Sequence, residues 1–294
     1  MSKTHIITVP GERKIAVESY GDPEGVPVFF FHGWPSSRFQ GRLGDEAARG
    51  LGIHLLSVDR PGVGASDLHE GRLLSEWPAV LDSLADYFTA ETFRVFGVSG
   101  GGPYALVSAW GLPERVQAAA VVSGAPPLAG RTNVKNLMPA YRLLLGMYRK
   151  KPEIVRLLFR AGKPFVTIRP PEWMWRQILR AVPACDRVGF EEPGVFERAW
   201  AGYHGAWTGH PDGAFHDARI YGEPWGFDLG EIRVPTNFWH GREDRNFHWE
   251  LAEEMAAAVP GSRIRILDNE GHYSLIIRHH REVLLDLMSG ETKG

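Results

Sequence analysis

Residues 93–106, Phe93-Arg94-Val95-Phe96-Gly97-Val98-Ser99-Gly100-Gly101-Gly102-Pro103-Tyr104-Ala105-Leu106, decide the fold. The stretch opens as an apolar run of strand type, breaks at Gly97-Val98-Ser99-Gly100-Gly101, and resumes with helix formers from Tyr104. G-x-S-x-G between a buried strand and a helix is the pattern of a nucleophile elbow. The glycines answer a steric need. Such a turn holds its serine in a strained backbone conformation, and side chains two residues either side would clash. Pro103 suits the first helical turn, where no amide hydrogen is required. The expected product is a serine hydroxyl at the carboxyl end of a sheet, above a helix N-terminus. A bare G-x-S-x-G also describes a glycine-rich structural turn; the flanking strand and helix favour the nucleophile.

A length of 294 residues suffices for one large α/β domain or a domain with an insertion. Composition, 44% hydrophobic and 23% charged, is that of a globular protein, and no run reaches the roughly 18 apolar residues of a membrane span. No stable membrane insertion is expected. The N-terminal MSKTHIITVPGERK lacks an apolar leader, so the expected location is cytoplasmic. A single cysteine, Cys185, forbids an intramolecular disulfide and a cysteine-rich zinc site. A net charge of −2 argues against nucleic acid as a partner. Charge is nevertheless uneven: residues 131–187 hold 13 Lys+Arg against 3 Asp+Glu. Solvated helix faces explain that balance, and a basic surface for an anionic substrate is the alternative.

In order, residues 4–9 and 13–20 alternate around Pro10-Gly11 and predict a hairpin. Pro27-Val28-Phe29-Phe30-Phe31 predicts a strand buried on both faces, followed by the turn HGWPSS with Ser36 as a helix cap. Residues 53–58 form the next strand and lead into DRPGVGAS. Ser75 is the expected N-cap of a helix striped by Leu74, Trp77, Leu81, Leu84 and Phe88. Residues 116–122 add a strand. Strands alternating with helices imply a parallel sheet covered on both faces. From residue 128 the alternation stops, and helical patterns cover 137–150, 153–161, 172–181 and 195–207 between frequent prolines. The rhythm returns with strands over 235–240 and 263–267 and helices over 249–258 and 274–288. The expected organisation is a core of residues 1–125 and 226–294, with 126–225 inserted as a helical cap.

A serine hydroxyl needs a base within hydrogen-bond reach, oriented by a carboxylate. The elbow predicts chain order Ser, acid, His, on loops after the later strands. His272, between Gly271 and a helix, is the candidate base. Asp244, in Gly241-Arg242-Glu243-Asp244-Arg245-Asn246, is the preferred acid, ahead of Glu243, with Asp268 third. An oxyanion needs two aimed amide hydrogens. The backbone N–H groups of Gly100 and Trp34 are the candidates, with Gly33 allowing close backbone approach. H-E-x-x-H, P-loop, EF-hand and G-x-G-x-x-G patterns are absent, so no cofactor and no metal are expected.

HGWPSS, DRPGVGAS, GVSGGGPYAL, HGREDRN and EGHYS, in that order and spacing, resemble the α/β-hydrolase family. They are similar to its capped branch of serine esterases, carbon–carbon bond hydrolases, epoxide hydrolases and haloalkane dehalogenases. The resemblance implies a mostly parallel twisted sheet with an inserted helical cap, and no chemistry for DRPGVGAS. The last two relatives carry an aspartate nucleophile where this chain has Ser99, which disfavours their reactions. The implied activity is hydrolysis of a carboxylic ester through an acyl-serine; the tryptophans of the inserted segment and Leu143 to Leu145, not the resemblance, point to a small to medium, apolar substrate. Cleavage of a carbon–carbon bond beside a carbonyl by the same residues is the first alternative; a lyase or perhydrolase is more distant. A ligand receptor or biosynthetic accessory protein retaining the residues is a rival of another class. The expected partner is a small-molecule substrate; the oligomeric state is left open.

Overall fold

The computed structural model describes residues 2–289. Among the described residues, eight strands form one sheet: β1 (Lys3–Val9), β2 (Arg13–Gly21), β3 (Val26–Phe31), β4 (Ile53–Val58), β5 (Phe93–Val98), β6 (Val116–Val122), β7 (Thr236–Gly241) and β8 (Arg263–Leu267). Their spatial order is β1-β2-β4-β3-β5-β6-β7-β8. The β1–β2 hairpin and the β2–β4 pair are antiparallel, and all later pairs are parallel.

The strand alternation divides the core in two. Phe29 and Phe31 of β3 pack on one face with Phe93 and Val95 of β5, while Val28 and Phe30 pack on the other with Phe96 and Val98. A central strand buried on both sides thus reads as an unbroken apolar run. Helices α1 (Asp45–Gly50), α2 (Trp77–Tyr87) and α3 (Gly102–Gly111) follow β3, β4 and β5. Six more helices lie between β6 and β7: α4 (Pro139–Lys150), α5 (Pro152–Val166), α6 (Glu172–Arg180), α7 (Ala184–Glu191), α8 (Val195–Thr208) and α9 (Gly213–Gly222). Helices α10 (Trp249–Ala258) and α11 (Ser274–Ser289) follow among the described residues. Helices α2, α3 and α10 cover the Phe29 face, whereas α1 and α11 cover the Phe30 face. Among the described residues no helix is long and apolar enough to cross a membrane.

The local structure departs from the sequence pattern at several points. Ser75 caps nothing: it lies in the 3-10 turn Leu74–Glu76, and the Glu76 carboxylate accepts the N–H of Leu73 at 2.9 Å. Ser36 is not a cap either. Ser37 precedes the 3-10 turn Arg38–Gly44, and its hydroxyl donates instead to the Gly202 carbonyl of α8 at 2.9 Å. Helix α5 runs on through Pro164 to Val166, because a proline in the last turn removes one bond and ends the helix without preventing it. Helices α7 and α9 fall outside the four helical patterns of the sequence. The former has eight residues, and the latter is buried on most sides and shows no clean apolar stripe.

Candidate active site

Ser99 stands between β5 and α3 with φ +52°, in the left-handed region a serine rarely adopts. The neighbouring strands leave no room for side chains around it. A Cβ at residue 97 would lie 2.3 Å from the Gly101 carbonyl oxygen, and one at residue 101 would lie 1.9 Å from that of Phe31. The two glycines therefore let the turn close against β3, and Ser99 is raised at the carboxyl end of the sheet.

The loops after β7 and β8 reach the same rim. His272 Nε2 lies 3.0 Å from Ser99 Oγ, and its Nδ1 lies 2.8 Å from Asp244 Oδ2. With Nδ1 protonated toward the carboxylate, Nε2 is left to accept the serine proton. Asp244 is otherwise fully engaged: Oδ1 accepts the backbone N–H groups of Asn246 at 2.8 Å and Phe247 at 3.0 Å, and His240 Nε2 stands 3.1 Å from Oδ2. Burial alone would raise the Asp244 pKa, yet His272 and His240 together hold it below the ordinary carboxylate value. Burial would likewise lower the His272 pKa, but the charge and hydrogen bond of Asp244, aided by Asp186, hold it above the ordinary imidazole value. The competing acids are placed elsewhere. Glu243 is exposed, and exposed Asp268 accepts the Arg242 guanidinium at 2.6 Å.

The Trp34 turn borders Ser99 from the β3 side. A Cβ at residue 33 would lie 3.4 Å from Ser99 Cβ, and one at residue 100 would lie 2.9 Å from Trp34 Cβ. Buried Arg60, from DRPGVGAS, holds that turn: its guanidinium donates to the His32 carbonyl and, at 2.9 Å, to that of Gly33. In a trans peptide the C=O and the following N–H point oppositely, so the N–H of Trp34 is turned away from Arg60. Arg60 is in turn paired at 2.6 Å with Asp217 of α9, which also accepts Arg72 at 2.9 Å.

A second carboxylate from the inserted helices fixes the other side. Asp186 of α7, 1% exposed, accepts the backbone N–H groups of His272, Tyr273 and Ser274 at 3.2, 2.9 and 2.7 Å, and so caps α11 where His272 leads into it. No motif or spacing in the sequence marks Asp186 or the Arg60–Asp217 pair. The only signal for Asp186 is that it is one of three acids in the basic segment 131–187.

These features coincide with a family pattern. A family model described as the alpha/beta hydrolase family matches residues 28–287. The chain belongs to this family. As an alpha/beta hydrolase it is 32% identical over 136 residues to "Epoxide hydrolase B" of Mycobacterium tuberculosis, a match that spans 45% of this chain and only 38% of that relative's length. It is 26% identical over 230 residues to a 2-hydroxy-6-oxononadienedioate/2-hydroxy-6-oxononatrienedioate hydrolase of Cupriavidus pinatubonensis, covering 76% of this chain and 71% of that one. An esterase structure from Exiguobacterium antarcticum superposes with a TM-score of 0.68 at 20% identity, covering 99% of this hydrolase and 100% of that chain, which is a likeness of fold.

Among the described residues, Glu70, Asp212 and His216 lie close enough together to share a cation. Asp212 is already neutralised by Arg156 and Arg160, whose guanidiniums reach its carboxylate at 2.5 Å, so the trio offers a metal little net negative charge.

Proposed function

We propose that this hydrolase cleaves carboxylic esters of small to medium apolar molecules through an acyl-serine. The reading rests on one observation, the unbroken line Ser99 Oγ, His272 Nε2, His272 Nδ1, Asp244 Oδ2 at 3.0 and 2.8 Å. In this reading Ser99 Oγ attacks the ester carbon and His272 takes its proton. Asp244 stabilises the resulting imidazolium and keeps the ring oriented. The negative oxygen of the tetrahedral intermediate meets the N–H groups of Trp34 and Gly100. As the carbon–oxygen bond breaks, His272 returns the proton to the departing alcohol. Water, activated by the same imidazole, then releases the acid and restores Ser99. Residues 126–225 act as a cap that covers this site and reaches back to it through Asp186 and Asp217.

The serine between Gly97 and Gly101 argues against epoxide opening, which in the resembling enzymes starts from an aspartate. Carbon–carbon bond hydrolysis is the second reading, favoured by the match to the Cupriavidus enzyme over 76% of this chain. Ser99→Ala tests the first: ester turnover should fall by roughly 10⁴–10⁶-fold. Near-normal turnover by that variant overturns the assignment. Cleavage of vinylogous 1,5-diketones with no cleavage of aryl or alkyl esters transfers the site to the second reading.

A further inference from the structure

Two cavities of unequal size meet at Ser99, and Trp34 and Ser99 line both. The larger, about 460 Å³, is walled by His272 and Tyr273 and by Phe165, Met174, Trp200 and Tyr203 of the inserted segment. The smaller, about 70 Å³, is walled by Gly100, Tyr141, Leu145, Val155, Phe215 and Tyr221. We propose that the small cavity takes the acyl half of the substrate and the large one the alcohol half. The substrate class is then a short-chain acyl ester of a bulky, apolar alcohol. This rests on the acyl-serine reading above.

The assignment follows from where the proton must go. In the tetrahedral intermediate the former carbonyl carbon carries Ser99 Oγ, the oxyanion, the alcohol oxygen and the acyl carbon. Collapse breaks the bond to the alcohol oxygen, which leaves with the proton that His272 took from Ser99. That oxygen must therefore lie within reach of His272 Nε2, and His272 lines the large cavity and not the small one. With the oxyanion at Gly100 and Trp34, the acyl carbon is left facing the small cavity.

Size then sets the class. A water-sized occupant needs roughly 10–15 Å³, so the small cavity admits about five heavy atoms, an acyl group of two to four carbons. Its wall resists expansion, because Leu145 and Tyr221 belong to a packed cluster with Leu128, Leu137, Phe247 and Leu251. The large cavity lies within the roughly 300–1,000 Å³ typical of small-molecule sites, and its aromatic side chains offer faces to an aryl group.

The test is a matrix of acetyl, butanoyl and hexanoyl esters of ethanol and of 2-(1-naphthyl)ethanol, two alcohols of similar leaving ability, with fluorophosphonate labelling of Ser99 in parallel. Each methylene refused by a pocket costs about tenfold or more. In the naphthylethyl series kcat/KM should fall about 100-fold from butanoyl to hexanoyl, and at fixed acetyl the naphthylethyl ester should exceed the ethyl ester at least tenfold. Val155→Ala, or Leu144→Ala on the same small-cavity wall should the former fold poorly, should raise the hexanoyl-to-acetyl ratio about tenfold. Ala199→Trp, on the large cavity, should lower the naphthylethyl-to-ethyl ratio. Preference for ethyl hexanoate over naphthylethyl acetate, or no preference, overturns the assignment while labelled Ser99 keeps the nucleophile in place. No turnover of any ester overturns it as well, and unlabelled Ser99 in that case removes the acyl-serine reading too.

Discussion

Asp186→Asn separates positioning of His272 from simple support of the fold. The change preserves side-chain volume and one acceptor but removes the charge beside His272. Oδ1 can still accept from Tyr273 at 2.9 Å and Ser274 at 2.7 Å, while the new amide sets a donor against the N–H of His272, formerly bound at 3.2 Å. A buried donor losing its partner costs about 1–3 kcal/mol. Removing a negative charge from the N-terminus of α11 costs a further 0.3–1 kcal/mol, roughly. At about 2–4 °C per kcal/mol for a large domain, Tm should fall by 5–10 °C, roughly, in differential scanning calorimetry. Kinetics carry the sharper sign. Burial lowers the His272 pKa, and Asp244 and Asp186 raise it to a net value above the ordinary one. Without the Asp186 charge the imidazolium is less stabilised, so the imidazole stays neutral, and active as a base, to lower pH. The acid limb of kcat/KM for ester hydrolysis should therefore move to lower pH. A lower Tm with an unmoved limb, or a limb displaced to higher pH, refutes the claim that Asp186 tunes this base.

Asp244→Asn should lower kcat by about 10⁴-fold with the fold retained, because the imidazole loses its orienting acceptor; less than a tenfold loss contradicts the role given to this acid. In the unaltered enzyme kcat/KM should decline as pH falls through a midpoint above the ordinary imidazole value of about 6.5, since His272 is raised and must be neutral to act. A midpoint below that value counts against the Asp244–His272 coupling. Arg60→Lys removes the fork that holds the His32 and Gly33 carbonyls and should cost about 10²–10³-fold in kcat with little change in KM, as loss of an aimed oxyanion donor does. A rise in KM at constant kcat would make Arg60 a substrate-binding group instead.

What the chain reveals by local pattern and what it hides divide along physical lines. The elbow is legible because sterics within five residues demand Gly97 and Gly101, and β3 because burial on both faces leaves a run of phenylalanines. The rim shared by Ser99, His272 and Asp244 is legible because each lies in the turn or loop that follows a recognisable strand at the same edge of the sheet. The inserted segment is legible only as helical. Its contributions, Asp186 to the His272 loop and Asp217 to Arg60, depend on contacts across 86 and 157 residues that no spacing encodes. DRPGVGAS received no chemistry from its pattern; its arginine acquires a positioning role only once α9 is packed against it. Cavity size is hidden for the same reason, since the small cavity is enclosed by α4, α5 and α9 together.

The covalent intermediate is the most direct test. Enzyme mixed with naphthylethyl butanoate, quenched in acid within its first turnover and digested, should yield the peptide containing Ser99 heavier by one butanoyl group, with the adduct absent from Ser99→Ala. An adduct on Asp244 or another carboxylate, or rapid single-turnover hydrolysis with no acylated peptide at any quench time, would contradict the account.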